Sequence, residues 1–192
     1  MRCTFLLLGV LVSGCGYHVA GNQMALPSDV HSVSVGTVEN RSREFGLDKR
    51  IAFAFEQECL RRGALHVTND PGGGDAVLTG TIRRFDSYPV SFNSSDAALQ
   101  YEATLVVDLT LRRQSDGAVL WSVRALREVE EYSASSQVVV TSSSQFQRGA
   151  LNATDLPNLT DVQLAETQKS LAIERLVQDL ARDAYDQMAE GF

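Results

Sequence analysis

The chain has 192 residues, of which 44% are hydrophobic and 21% charged, and its formal net charge is -7. This composition is typical of a folded globular protein, and the length suits one domain with an adequate core. The acidic balance argues against nucleic acid as a partner, because nucleic-acid binding relies on Lys and Arg neutralising phosphates.

The first 14 residues have the pattern of a secretory signal peptide. Arg2 precedes the apolar run Phe5–Val12, which is too short to span a bilayer, since spanning needs about 20 apolar residues. A Ser-Gly pair and then Cys15 follow, and this ending resembles the lipobox of bacterial lipoproteins. The resemblance implies acylation of Cys15 and attachment to a membrane. An ordinary signal peptide with a coincidental cysteine is the alternative.

The residue after Cys15 is Gly16, whereas Asp at this position is the usual signal for retention in the inner membrane. Gly16 therefore favours location in the outer membrane. Residues 15–29 are expected to form a lipid-anchored tether, and residues 30–192 a single α+β domain. The first strand is predicted over Val30–Val38, where apolar and polar or small residues alternate.

A first helix is predicted over Leu47–Arg62, because apolar residues recur there at spacings of three and four. Gly63 suits the carboxyl end of this helix. A short extended segment is predicted at Leu65–Thr68, and a glycine-rich loop follows it.

Three longer strands are predicted at Ala76–Ile82, Tyr101–Arg113 and Val119–Val129. Apolar and polar residues alternate along them, so one face of the sheet is expected to be dry and the other wet. Pro89 marks a sheet edge or a bulge beyond the first of these strands.

A three-residue loop, Ser115-Asp116-Gly117, is predicted to join the last two strands, with Gly117 in the left-handed conformation. The register that follows pairs Gln114 with Ala118, Leu111 with Trp121, Leu109 with Val123 and Asp108 with Arg124. The same alternation places Ala125 on the dry face and Glu128 on the wet face.

A loop rich in Ser and Thr is expected over about 133–160, with a short strand at Val138–Val140. The C-terminal helix is expected over about 161–190, with an apolar stripe along one side. Two amphipathic helices can cover the dry face of the sheet. The predicted fold is therefore an α+β two-layer sandwich, with two helices packed on one face of a mainly antiparallel four-stranded sheet.

No catalytic motif was found in the sequence. The three His residues share no metal-ligand spacing, and neither Cys-x-x-Cys nor His-Glu-x-x-His occurs. Glu128 and Glu130 share a strand face and could form the carboxylate pair of a glycosidase, but acids at a strand end are more often solvated. Cys59 is expected to be a core residue. The chain is therefore predicted not to be an enzyme and to need neither a metal ion nor a cofactor.

Segments along nearly the whole mature chain resemble the LptE-type lipopolysaccharide-assembly lipoproteins. The segments are Cys15–Val19, Val33–Ser42, Leu60–Gly63, Asp75–Ile82 and Gly117–Trp121. They are similar to that family's mature amino terminus, first strand and turn, end of the first helix, next strand and last hairpin. The long helix before the carboxyl terminus completes the likeness.

The resemblance implies a lipid-anchored lipoprotein of the outer membrane. It would lie on the periplasmic side of the LptD-type outer-membrane β-barrel or within the lumen of that barrel. Such lipoproteins help the barrel to fold and plug it, and the pair inserts lipopolysaccharide into the outer leaflet. A wet sheet face suits the polar interior of a large barrel. The alternative is a periplasmic lipoprotein that docks on and activates a peptidoglycan synthase, although the tether is short for that role. A lipid-anchored hydrolase lacks a candidate triad.

The candidate barrel-facing residues on the wet face are Thr81, Thr110 and Ser122. Arg83 and Arg112 are the candidates for contact with lipopolysaccharide, because arginine forms paired hydrogen bonds with phosphate. Arg124 is expected to pair with Asp108, and Arg84 is expected to point to the opposite face or to lie beyond the end of its strand.

Overall fold

The structure is a computed structural model that describes residues 25–70, 72–94, 96, 98–133 and 156–191. The predicted signal peptide, the acylation of Cys15 and the predicted strand at Val138–Val140 lie outside the described residues.

The chain folds into five strands and two helices. The elements in chain order are β1 (Ser32–Asn40), α1 (Leu47–Arg62), β2 (His66–Val67), β3 (Ala76–Phe92), β4 (Ala98–Arg113), β5 (Val119–Ser133) and α2 (Leu156–Glu190). The strand order is β2-β1-β3-β4-β5. β1 runs parallel to β2 and β3, whereas β3, β4 and β5 are antiparallel neighbours.

The predicted α+β class is confirmed, but the sheet has five strands and is mixed rather than four-stranded. The added strand is β2, within the predicted extended segment. Its backbone pairs with β1, since His66 N–H donates to His31 O at 2.9 Å and Thr68 N–H to Val33 O at 3.0 Å. The pairing is parallel because α1 carries the chain back across the sheet between the two strands.

Both helices cover one face of the sheet, as their apolar periodicity predicts. Ile51, Phe55 and Cys59 of α1 are buried, as are Leu176 and Leu180 of α2. Burial raises the pKa of the Cys59 thiol to about 12, so this cysteine is a core residue and a poor nucleophile.

The three antiparallel strands extend further than their sequence patterns predict. β1 pairs with β3 only as far as Asn40 opposite Ile82, yet β3 continues to Phe92 in register with β4. Pro89 lies at a register shift in this outer half, so the predicted bulge is confirmed. We call the outer halves of the three strands, Arg83–Phe92, Ala98–Val107 and Leu126–Ser133, the arm.

The hairpin between β4 and β5 is one residue longer at its tip than predicted. Arg113 N–H donates to Ala118 O at 2.8 Å, so Arg113, not Gln114, closes the loop. Gly117 has the predicted left-handed conformation, with φ of 72°. A register shift beyond Leu111 then restores the predicted pairs of Leu111 with Trp121 and Leu109 with Val123.

A bulge in β5 reverses the faces predicted for its second half. Ala125 has a positive φ of 54° and is exposed, and Leu126 is buried in its place. The predictions that Ala125 lies on the dry face and Glu128 on the wet face are therefore wrong. An inserted residue moves every later side chain to the other side of the sheet, because side chains alternate with a period of two.

The start of α2 and the first residues that the structure describes differ from what the sequence predicts. α2 begins at Leu156, before the predicted start near residue 161. Ala25 N–H donates to Ala189 O at 2.9 Å, and Leu26 packs against the core. The predicted tether is therefore docked on the domain from residue 25 onward.

Candidate binding face

The face of the sheet turned away from the helices, which we call the polar face, brings the predicted barrel-facing residues together. Thr110 pairs with Thr79 on one side and with Ser122 on the other, so these three form one row across the sheet. Thr81 belongs to the next row, opposite Asp108. Small hydroxyl side chains therefore lie side by side on the part of this face outside the arm.

Asp108 organises the row next to these hydroxyl groups. Its Oδ2 accepts a hydrogen bond from Arg83 Nε at 2.6 Å, and its Oδ1 accepts one from Ala125 N–H at 2.8 Å. Burial raises the pKa of Asp108, but these bonds and the arginine charges outweigh it, so the pKa lies below its ordinary value. The predicted pairing with Arg124 is wrong, because the β5 bulge presents the Ala125 backbone to the carboxylate instead.

The two arginines predicted to contact lipopolysaccharide have different surroundings. Arg83 lies on the polar face but is neutralised by its ion pair with Asp108. Arg112 is exposed near the hairpin, where its Nη1 donates to Gly117 O at 3.3 Å. The structure does not bring these two side chains into one site.

A bulge at Arg83 also corrects the placement of Arg84. The register of β3 against β4 shifts between Ile82 and Arg84, which places Arg84 opposite Val106 on the polar face rather than the opposite one. Val106 pairs with Arg127 of β5 on its other side. Two arginines therefore flank Val106 in a single cross-strand row. The alternation of side chains in the sequence did not predict this row, because it assumes strands without bulges.

These side chains border a cleft on the polar face of the arm, which we call the arm cleft. Its volume is about 580 Å³, and it is lined by Arg84, Phe85, Asp86, Ser87, Tyr88, Thr104 and Arg127. Arg84 Nε lies 2.8 Å from Asp86 Oδ2, and the Tyr88 hydroxyl donates to Glu102. The hydroxyl group of Thr104 is buried and has no hydrogen-bond partner within the described part of the chain.

Carboxylates also lie on the other side of the sheet, against α2. Glu130 accepts a hydrogen bond from Arg175 at 2.9 Å, so it does not form a free pair with Glu128. Glu128 faces Asp183 and Asp179 instead, and burial followed by these negative charges raises its pKa. Within the described ranges, no group of three or more His, Cys, Asp or Glu residues is arranged to hold a metal ion.

The sequence profile of the LptE family, Lipopolysaccharide-assembly, matches residues 30–188. The chain belongs to this family. The match spans the domain from just before β1 to the end of α2 and so includes both helices, the sheet and the arm. Membership in the LptE family supports a role in lipopolysaccharide assembly.

The chain is also similar to several solved structures of bacterial proteins. A Caulobacter crescentus protein is 14% identical, with a TM-score of 0.49 over 80% of this chain and 88% of that one. A Neisseria meningitidis lipoprotein is 15% identical, with a TM-score of 0.39 over 71% and 97%. A minor lipoprotein from Acinetobacter baumannii is 12% identical, with a TM-score of 0.39 over 84% and 93%. No curated protein matches the sequence.

Among the described residues, neither helix is long and apolar enough to cross a membrane.

Proposed function

We propose that this protein is an outer-membrane lipoprotein that plugs the LptD-type β-barrel, assists its assembly and thereby aids transport of lipopolysaccharide to the outer leaflet. The observation that carries the proposal is the match to the lipopolysaccharide-assembly family over residues 30–188.

The polar face is the surface best suited to the inside of a barrel. The interior of a large outer-membrane barrel is polar, so a surface of hydroxyl groups and paired charges can lie against it without desolvating lone charges. Thr81, Thr110 and Ser122 supply the hydroxyl groups. Arg83 and Asp108 supply a neutralised pair.

The position of the amino terminus agrees with a plug that is held from the periplasmic side. Asp29 lies 3.2 Å from Arg113, and Ala25 is bound to the end of α2, so residues 25–29 lie at the same end of the domain as the hairpin at residues 114–117. The arm points the other way. The 17 residues of β3 span about 50 Å at the usual rise per residue, which exceeds the roughly 30 Å of a bilayer core.

This geometry supports one arrangement of anchor and arm. An acylated Cys15 would hold the hairpin end at the periplasmic leaflet, and the arm would extend through the lumen towards the outer leaflet. The helices would remain on the side away from the barrel wall that the polar face contacts.

Co-purification from the native outer membrane tests the proposal. The tagged full-length chain is extracted in mild non-ionic detergent, and the proteins retained with it are identified by mass spectrometry. We expect the LptD-type barrel in near-equal amount, and reduced surface lipopolysaccharide when the chain is depleted. Recovery of a peptidoglycan synthase without the barrel would contradict the proposal and favour the alternative role in cell-wall synthesis.

A further inference from the structure

We infer that the arm cleft is a binding site for a phosphate group, with Arg84, Arg127 and the hydroxyl of Thr104 as its ligands. The site differs from the two arginines that sequence analysis favours, Arg83 and Arg112. The inference deepens the proposed function and rests on it only for the identity of the molecule that carries the phosphate.

The register places the three groups around one point. Arg84 and Arg127 lie on either side of Val106, and Thr104 lies in the next row, between Asp86 and Val129. Adjacent strands are about 4.8 Å apart, so the two arginine backbones stand about 10 Å from each other. Long side chains from both sides can therefore converge above Val106 on one small anion.

Thr104 provides the observation that points to a ligand. It lies on the polar face, where neighbouring side chains are mostly wet, yet only 2% of its surface is exposed. Thr104 lines the cleft, and its buried Oγ1 has no hydrogen-bond partner among the residues that the structure describes. A buried hydroxyl without a partner is unfavourable, so an acceptor that enters the cleft would supply an interaction that the protein alone does not make.

The charges of the cleft favour an anion. Two guanidinium groups and one carboxylate line it, in a chain whose formal net charge is -7. Asp86 lies against Nε of Arg84, and the two terminal nitrogens of that guanidinium are further donors. Arg127 forms no ion pair with any residue that the structure describes. Arg41 and Arg83, by contrast, are each paired with a carboxylate.

The number of donors selects phosphate over carboxylate. Three separate donor groups surround the cleft, and a phosphate monoester offers three oxygens that can each accept a charge-assisted hydrogen bond. A carboxylate has only two oxygens. Because the chain belongs to a lipopolysaccharide-assembly family, the phosphate of a lipid headgroup is one source, and free phosphate is the other.

Binding by the full-length acylated protein in mild detergent tests the inference. The probes are lipid A carrying its phosphates, the same lipid A after dephosphorylation, and inorganic phosphate. Affinity is measured by titration, and the amide signals of Thr104 and Val106 are followed by NMR. The test variant is Arg84→Gln/Arg127→Gln. The matched control is Arg43→Gln/Arg124→Gln, which removes the same charge from exposed positions outside the cleft.

We expect the test variant to bind phosphorylated lipid A at least tenfold more weakly, while the control changes affinity by less than twofold. Thr104→Val should also weaken binding and should fold at least as well as the wild type, because it removes a buried hydroxyl that has no partner. Thr104→Ser should retain binding. A Thr104 signal that moves with inorganic phosphate identifies free phosphate as sufficient, and one that moves only with lipid A identifies the headgroup; both results support the site.

Equal losses in the test and control variants would overturn the inference, because they would show diffuse charge attraction. So would unchanged affinity in the test variant, or equal affinity for dephosphorylated lipid A. Barrel co-purification separates this inference from the proposed function. If the test variant still binds phosphate normally and also retains the barrel, the inferred phosphate site is wrong and the proposed function is unaffected. If the wild type fails to retain the barrel, the proposed function is wrong and the binding result stands independently.

Discussion

Glu128 of β5 faces Asp183 of α2, and the interaction between these two carboxyl groups favours the protonated form of Glu128. Burial, together with the charges of Asp183 and Asp179, raises the pKa of Glu128 from 4.5 to about 7. A group with a raised carboxyl pKa binds its proton more tightly in the folded state than in the unfolded chain.

This pair predicts a pH dependence of stability. The contribution of Glu128 is fully present below pH 4.5 and is lost as the pH rises through about 7, because the folded state must then hold neighbouring negative charges. As the pH rises from 5 to 8, we expect the free energy of unfolding of Glu128→Gln to increase by about 1–2 kcal/mol relative to that of the wild type, with solvent screening taken into account. Urea unfolding at both pH values measures this. Glu131→Gln on the exposed polar face is the control, and an equal gain there would contradict the prediction.

The predicted core register has an energetic consequence. Leu111 is fully buried opposite Trp121, so Leu111→Ala should reduce the free energy of unfolding by about 2–5 kcal/mol. Thr110→Ala, one residue earlier on the polar face, should cost less than about 1 kcal/mol. Denaturant unfolding of both variants checks the difference. Similar losses would indicate that the polar face is packed as tightly as the core.

The bulge in β5 can be tested through its backbone strain. Ala125 has φ of 54°, a conformation that costs an alanine about 1–2 kcal/mol and a glycine little. Ala125→Gly should therefore be neutral or stabilise the protein by up to about 1 kcal/mol, whereas Ala125→Val should destabilise it. Ala103→Gly, in a buried regular strand position, should destabilise. Thermal unfolding distinguishes these outcomes, and a large loss in Ala125→Gly would contradict the assigned bulge.

The polar face should be sensitive to bulk if it lies against the barrel wall. Thr110→Lys, at the centre of that face, should reduce the amount of barrel that co-purifies while the circular-dichroism spectrum stays unchanged. Gln178→Lys adds the same side chain to an exposed position of α2 and is the matched control. Loss of the barrel in the control alone would place the contact on the helices instead.

Acylation of Cys15 predicts where the mature chain begins and where it resides. Cys15→Ala should leave the protein uncleaved or release it from membrane fractions, since several acyl chains give a stable anchor. Mass spectrometry of the mature amino terminus and fractionation of the cell envelope measure both effects. A free, unmodified amine at another residue would contradict the prediction.

Local patterns in the sequence determined the helices, the core and the family. α1 was predicted with its observed bounds because its apolar spacing and Gly63 act within the helix itself. The buried face of β4 followed from strict alternation, since Leu105, Val107, Leu109 and Leu111 are all buried. These features depend on neighbours a few residues apart, which a single sequence displays.

Only the tertiary structure decided which residues share the polar face of the arm. The bulges at Arg83 and Ala125 each insert one residue, and alternation cannot reveal an insertion that exists only relative to a partner strand. Each bulge reverses the faces of the side chains that follow it, relative to unbroken alternation. Arg84 therefore lies on the polar face, and Glu128 lies against α2. The arm cleft exists because Arg84 and Arg127 come from strands far apart in sequence and meet only through their shared pairing with Val106.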